Sequence, residues 1–256
     1  MGRDGKPDLY YTVFGIEGLL ALQVDLPREA ILEWLATNSD GSKLDFIHLC
    51  CLIRCQAALQ NKPWLEQHRN SLATRLEQQH RTPCGGYHVK VKQPHGNAYA
   101  SLLAFAAYED LGLPLPEPQR LRDSLDGLRT ADQAWSNEAG LSLGMAPPTA
   151  AVLTLYRRMG WPTPDQSLHW LLSCLHDQGG FLAFPRSPLP DLLTTAVVLH
   201  SLAGAGAHLE PLREPCLDFI DSLWNAAGGF HGNWTDHELD SEYTYYGLLA
   251  LGHLSV

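Results

Sequence analysis

The stretch DSEYTYYGLLALGHL (240–254) decides the fold, because DLYYTVFGIEGLLAL (8–22) repeats its pattern at the other end of the chain. Both open on Asp, place Tyr-Thr three and four residues later, and run through further aromatics into a glycine and a Leu/Ala-rich segment. Self-similarity at a long period is the signature of a repeat architecture. Weaker copies lie between: Asp45 opens DFIHLCCLIRCQAAL, Asn97 opens NAYASLLAFAAYEDLG, Pro147 opens PPTAAVLTLYRRMG and Asp191 opens DLLTTAVVLHSLAGAG. The openers fall at 8, 45, 97, 147, 191 and 240, intervals of 37 to 52 residues that suit a helix pair and its connections.

A second mark precedes several copies: Gly85-Gly86-Tyr87, Gly179-Gly180-Phe181 and Gly228-Gly229-Phe230, each 11 to 12 residues before the next Asp or Asn. Paired glycines are expected to end a helix, since glycine takes the left-handed conformation without a Cβ penalty. The Asp or Asn then caps the next helix by accepting an orphan backbone N–H. Between the openers lie amphipathic segments at roughly 27–38, 63–80, 117–130, 164–177 and 209–224, each with one charged face. The opener helices are apolar on more of their circumference and are expected to be the buried set. The fourth copy departs from the pattern: WSNEAGLSLGMAPP (135–148) stands where Gly-Gly-aromatic and Asp are expected. Strand signals are weak, with Tyr87–Val91 the one short alternating stretch.

The fold class is therefore all-α: an (α/α)6 toroid of six inner and five to six outer helices, forming a single domain over residues 1–256. An open solenoid is the alternative, but its terminal copies are usually atypical. Here the terminal copies match best, which favours a closed ring in which they are neighbours.

Composition narrows the function. Twenty-eight acidic against 18 basic residues give a net charge of −10, and 45% of the chain is hydrophobic. An acidic chain without a Lys/Arg run does not suit nucleic acid or an anionic membrane surface. No run reaches the roughly 18 apolar residues of a membrane-spanning helix. The start, MGRDGKPDLYY, lacks an apolar signal core, so a cytoplasmic location is expected. The six cysteines form no CxxC pair and are expected to be reduced and mostly buried.

GGFHGNWTDHELDSEYTYYGLLALGHL (228–254) resembles the repeat of protein prenyltransferase β subunits and squalene-type terpenoid cyclases. The resemblance implies a toroid whose inner helices line a deep apolar cavity able to hold an isoprenoid chain. It does not extend to the reaction motifs. Prenyltransferase zinc would be held at the positions of Asp191, Leu193 and Tyr243, and only the first is a ligand type; catalytic zinc normally needs three protein ligands. The D-x-D-D acid motif of the cyclases and a DDxxD diphosphate motif are both missing. No cofactor is expected. A small apolar, isoprenoid-like substrate is, and a homo-oligomer or partner subunit stays open.

In a toroid the inner-helix N-termini converge at one mouth. Asp191 and Asp240 are the first acid/base candidates, followed by His48, Tyr243 and Glu242. Carboxyls among like charges at an apolar mouth acquire the raised pKa that acid catalysis needs; plain N-capping is the competing role. Asp8, Tyr11, Asp45, Tyr99 and Thr194 are placed as substrate-binding residues, with the aromatics able to face a carbocation or fill a core. His48, Cys51 and Cys55 share a helix face one turn beyond Asp45, which suits a metal, a Cys–His pair, or a cysteine-rich core. His88 and His95, in the basic loop CGGYHVKVKQPHGN (84–97), and Trp234 are further rim residues. Three functions compete: an acid–base enzyme on an isoprenoid-like substrate, a non-catalytic isoprenoid-binding or accessory protein, and another (α/α)6 enzyme such as a lyase or glycosidase.

Overall fold

Five of the six repeat openers cap a helix in the structure, a computed structural model that describes residues 5–38 and 40–255. The helices are α1 (Leu9–Ala21), α2 (Arg28–Ala36), α3 (Phe46–Ala58), α4 (Lys62–Arg75), α5 (Ala98–Asp110), α6 (Pro118–Asp126), α7 (Ala146–Arg158), α8 (Asp165–Leu172), α9 (Leu192–Gly204), α10 (Glu210–Ser222) and α11 (Ser241–Leu254). The chain divides into two units, Pro7–Gly127 and the part from Leu128 onward. In the first, α3 packs between α1 and α5 and against α4. Its core includes Leu9, Ile16, Leu35, Leu52, Cys55 and Leu59. In the second, α9 packs between α7 and α11, with α8 on α7 and α10 on α11.

Capping chemistry explains where the odd-numbered helices begin. Asp8 accepts from the Tyr10 and Tyr11 amides, Asp45 from His48, Asn97 from Ala100, Asp191 from Thr194 and Asp240 from Tyr243. The fourth helix is the exception. It is capped at Met145 without a side-chain bond, two residues before the expected Pro147. Pro147 and Pro148 fit its first turn, where a proline's missing N–H is not needed.

The glycine pairs do not end helices as expected. They turn small hairpins that follow α4, α8 and α10, bridged at Arg81↔Tyr87, Leu175↔Phe181 and Trp224↔Phe230. The first glycine of each pair has φ of +98°, +85° or +96°, the left-handed region. The second is pressed against a neighbour: a Cβ on Gly86 would lie 2.4 Å from Ser124 Oγ, and one on Gly180 2.6 Å from the Phe219 ring. Nor is the fourth copy missing its hairpin. Gln133-Ala134-Trp135 takes the place of Gly-Gly-aromatic, with Gln133 at φ 72° and Trp135 bridged to Arg129. The strands are β1 (Phe181–Leu182) with β2 (Pro190–Asp191), and β3 (Trp224–Asn225) with β4 (Gly229–Phe230). At the expected Tyr87–Val91 strand only Tyr87 forms a bridge.

The Thr of the repeat is a staple between hairpin and helix. The buried Tyr87, Trp135 and Phe181 donate their backbone N–H to the hydroxyls of Ser101, Thr149 and Thr195, at 3.2, 2.9 and 2.8 Å. Thr149 and Thr195 in turn donate to the cap carbonyls of Met145 and Asp191, as Thr12 and Thr244 do to those of Asp8 and Asp240. A buried N–H needs such a partner, so Thr or Ser recurs four residues after the cap for structural reasons.

The opener helices are the buried set only in part. α3, α5, α7 and α9 bury most of their apolar residues, whereas α1 buries only Leu9, Ile16 and Gly18, and α11 only Gly247, Ala250 and Leu254. Among the described residues no helix is long and apolar enough to cross a membrane.

Candidate functional site

The N-termini of α1 and α3 bring together two openers and one histidine. Asp45 caps its helix through the His48 amide at 2.9 Å and also holds the same residue's ring, with Nδ1 2.9 Å from both carboxylate oxygens. On the opposite side of the ring, Nε2 lies 3.2 Å from Asp8 Oδ2. Asp8 uses Oδ1 to cap α1. A single imidazole is thus bridged between two carboxylates on neighbouring helices, half-buried like Asp8 and beside the more exposed Asp45.

The electrostatics follow from this geometry. Burial lowers the His48 pKa, but hydrogen bonds to Asp45 and Asp8 and their charges outweigh it and raise the pKa above the ordinary value. Burial pushes the Asp45 carboxyl up, yet the His48 amide and ring pull it below its usual range. With both nitrogens facing carboxylates, the charged form of the ring is favoured.

The thiols on the same helix stand apart from this chemistry. Burial, reinforced by the charges of Asp8 and Asp45, pushes Cys51 up to about 12, and burial also raises Cys55. Both stay protonated and packed in the core, while the His48 nitrogens turn to carboxylates. Five of the six cysteines are buried and Cys84 is half-buried; all six are free thiols. Next to the cluster, Tyr10 meets Tyr11 and Phe14 edge-on, with centroids 5.5 and 5.0 Å apart.

At the far end of the same helices runs a second polar connection that sequence spacing did not reveal. Arg54 on α3 binds Glu17 of α1 and Asp110 of α5, each at 2.8 Å. Of the other predicted residues here, His88 is buried, with Nδ1 accepting from the Lys90 amide at 3.0 Å, while His95 and Tyr99 are exposed. A groove of ≈ 640 Å³ lies among Gln78, Arg81, Pro83, Val91 and Lys92, and its lining includes none of Asp8, Asp45 and His48.

In the unit from Leu128 onward, the predicted acids cap their own helices. Asp191 takes the Thr194 amide at 2.7 Å and the buried Thr194 hydroxyl at 2.6 Å. Burial raises its pKa, against the lowering effect of those bonds. Asp240 is buried and caps Tyr243 at 2.8 Å. The Tyr243 ring lies over Gly232, where a Cβ would come 2.5 Å from Cζ. Leu193, Glu242 and Tyr243 are half-buried. Trp234 is engaged by α10, with Nε1 donating to Ser222 Oγ at 2.9 Å and its ring against Phe219. Among the described residues, no three His, Cys, Asp or Glu side chains are grouped as metal ligands.

Alternating helices stapled to Gly-turn hairpins define the class: this is an α/α toroid. Residues 150–255 match the family model of the prenyltransferase alpha-alpha toroid domain. Solved structures extend the fold to nearly the whole chain. A protein geranylgeranyltransferase-I from Candida albicans complexed with GGPP superposes with a TM-score of 0.76 at 11% identity, over 96% of this chain and 83% of that one. A type II terpene cyclase from Scytonema in complex with geranylgeranyl dihydroxybenzoate gives 0.63 at 14%, over 96% and 86%. A "possible member of GH105 family" from Salmonella enterica gives 0.63 at 14%, over 96% and 82%. No curated protein matches the sequence.

Proposed function

We propose that this chain is an acid–base enzyme for an apolar, isoprenoid-like substrate, with Asp8, His48 and Asp45 handling the proton. The observation that carries this reading is the imidazole bridged between carboxylates of two different helices. N-capping requires only the carboxylate and the backbone amide. The His48 ring is additional, and it makes a proton reservoir at the edge of an aromatic group formed by Tyr10, Tyr11 and Phe14. Ring faces of this kind attract developing positive charge. Protonating an alkene and recovering a proton from the resulting cation needs no co-reactant, which suits a site of imidazole and carboxylates. The substrate class is supported by the geranylgeranyl compounds bound to two proteins of similar fold. Asp191, with its raised pKa, is a second acid in the other unit. The location proposed is the cytoplasm.

The test incubates the protein with geranylgeraniol and geranylgeranyl diphosphate, follows binding by native mass spectrometry and products by gas chromatography. Wild type and His48→Gln are expected to bind alike, with product formation falling about 10²–10⁴-fold in the variant. Binding without turnover in the wild type would convert the reading to a binding protein. Absence of binding would remove the isoprenoid and reopen the glycosidase class.

A further inference from the structure

At two positions of the repeat the two units carry opposite chemistry. In the first, the central helix α3 carries Arg54 nine residues after its cap Asp45, and α5 carries Asp110 thirteen after Asn97. In the second, the central helix α9 carries His200 nine residues after Asp191, and α11 carries His253 thirteen after Asp240. The third member is Glu17 on α1 in one case and Arg157 on α7 in the other. One unit therefore reads acid–cation–acid and closes at 2.8 Å on both sides. The other reads Arg–His–His. His200 Nδ1 faces His253 Nε2 at 3.0 Å, and the Arg157 guanidinium reaches His200 Nε2 at 3.4 Å.

We propose that Arg157, His200 and His253 form an anion-binding site, for a ligand bearing a carboxylate or phosphate, at the C-terminal ends of α7, α9 and α11. The first unit shows that carboxylates are accommodated at this level of the helices, beside the negative ends of their dipoles, when a cation stands between them. The second unit sets the Arg157 guanidinium beside two imidazoles. The guanidinium lies across the last turn of α9, where a Cβ on Gly204 would be 2.7 Å from its Cζ. Arg157 is exposed and both imidazoles are half-buried, so the cluster is open to a ligand.

The charges confirm the imbalance. Burial first, then the fields of His253, Arg157 and Arg158, depress His200 to about 4; burial and Arg157 also lower His253. Among the described residues, the groups acting on the pair are Arg157 and Arg158 from α7 and the two histidines themselves. An oxyanion placed against this cluster cancels the repulsion, and the imbalance predicts that binding draws protons onto the imidazoles.

The test is an NMR titration of the histidine rings in the full chain, with sodium acetate, inorganic phosphate, or sodium chloride at equal ionic strength. Acetate or phosphate is expected to raise the His200 pKa by about one unit, a tenfold change in proton affinity, and chloride to leave it near its starting value. A response to acetate alone assigns a carboxylate ligand, and a response to phosphate alone a phosphate. Arg157→Gln is expected to abolish the response and Arg157→Lys to restore part of it. An equal shift in chloride, or an undiminished shift in Arg157→Gln, would overturn the site. The readout does not depend on turnover, so its failure is separate from that of the proposed activity.

Discussion

Two triplets of helices, α1–α3–α5 and α7–α9–α11, are built from the same repeat and hold their middle helix differently. In the first, α3 is clamped at both ends by charge: His48 between Asp8 and Asp45, and Arg54 between Glu17 and Asp110. In the second, Asp191 binds Thr194 on its own helix, and the far end carries the Arg157–His200–His253 cluster. The difference rests on single positions. Three residues after the cap, Thr194 is short and folds back onto Asp191, while His48 is long enough to reach a second helix. The burial pattern fits: α1 buries only three residues, so charge does for it what packing does for α7 against α9.

The largest expected effect tests that contrast directly. Arg54→Leu removes the guanidinium 2.8 Å from Asp110, whose side chain is 10% exposed. The loss is expected to be about 2 kcal/mol in urea unfolding, below the value for a fully buried pair because Arg54 itself is partly exposed. Arg157→Leu, at the matching level of the other unit, should stay within about 0.5 kcal/mol. Equal costs would erase the distinction between a closed clamp and an open cluster.

A smaller effect asks where the units agree. Thr195→Val removes the hydroxyl that accepts the buried Phe181 N–H, and Ser101→Ala does the same for Tyr87. Each should cost about 1 kcal/mol, the lower end of the penalty of an unsatisfied buried donor. A neutral result at either position would show that the staple is incidental there.

The smallest effect is a pH dependence of opposite sign. His200 titrates near 4 in the folded chain, below its unfolded value near 6.5, so its contribution is intact above 6.5 and is lost as pH falls toward 4. His48 is raised, so its contribution is intact below 6.5 and is lost as pH climbs through the folded value. Stability curves of His200→Gln and His48→Gln should therefore part from wild type on opposite sides of pH 6.5. Departure on the same side would contradict the assigned charge states.

Much of the fold was legible because it is written in local chemistry. Asp8, Asp45, Asn97, Asp191 and Asp240 are caps, and a cap needs only its own first turn. The hairpin of the fourth copy is hidden because Gln133 adopts a conformation usually left to glycine, which composition does not disclose. For the glycine pairs, a left-handed residue ends a helix or turns a hairpin with equal ease, and only the bonding across the turn distinguishes the two. His48 was grouped with Cys51 and Cys55 on its own helix face, yet its second partner, Asp8, stands 40 residues earlier.

The sequence by itself determined the alternation of helices, their starts and the spacing of the repeat, since these depend on periodicity and on capping within a few residues. Only the tertiary structure decided which charges meet. Asp8 with His48, Arg54 with Glu17 and Asp110, and His200 with His253 are pairings across helices, set by how α1, α3 and α5, or α7, α9 and α11, lie side by side. A Coulomb interaction depends on distance in space, and a repeat fixes only distance along the chain.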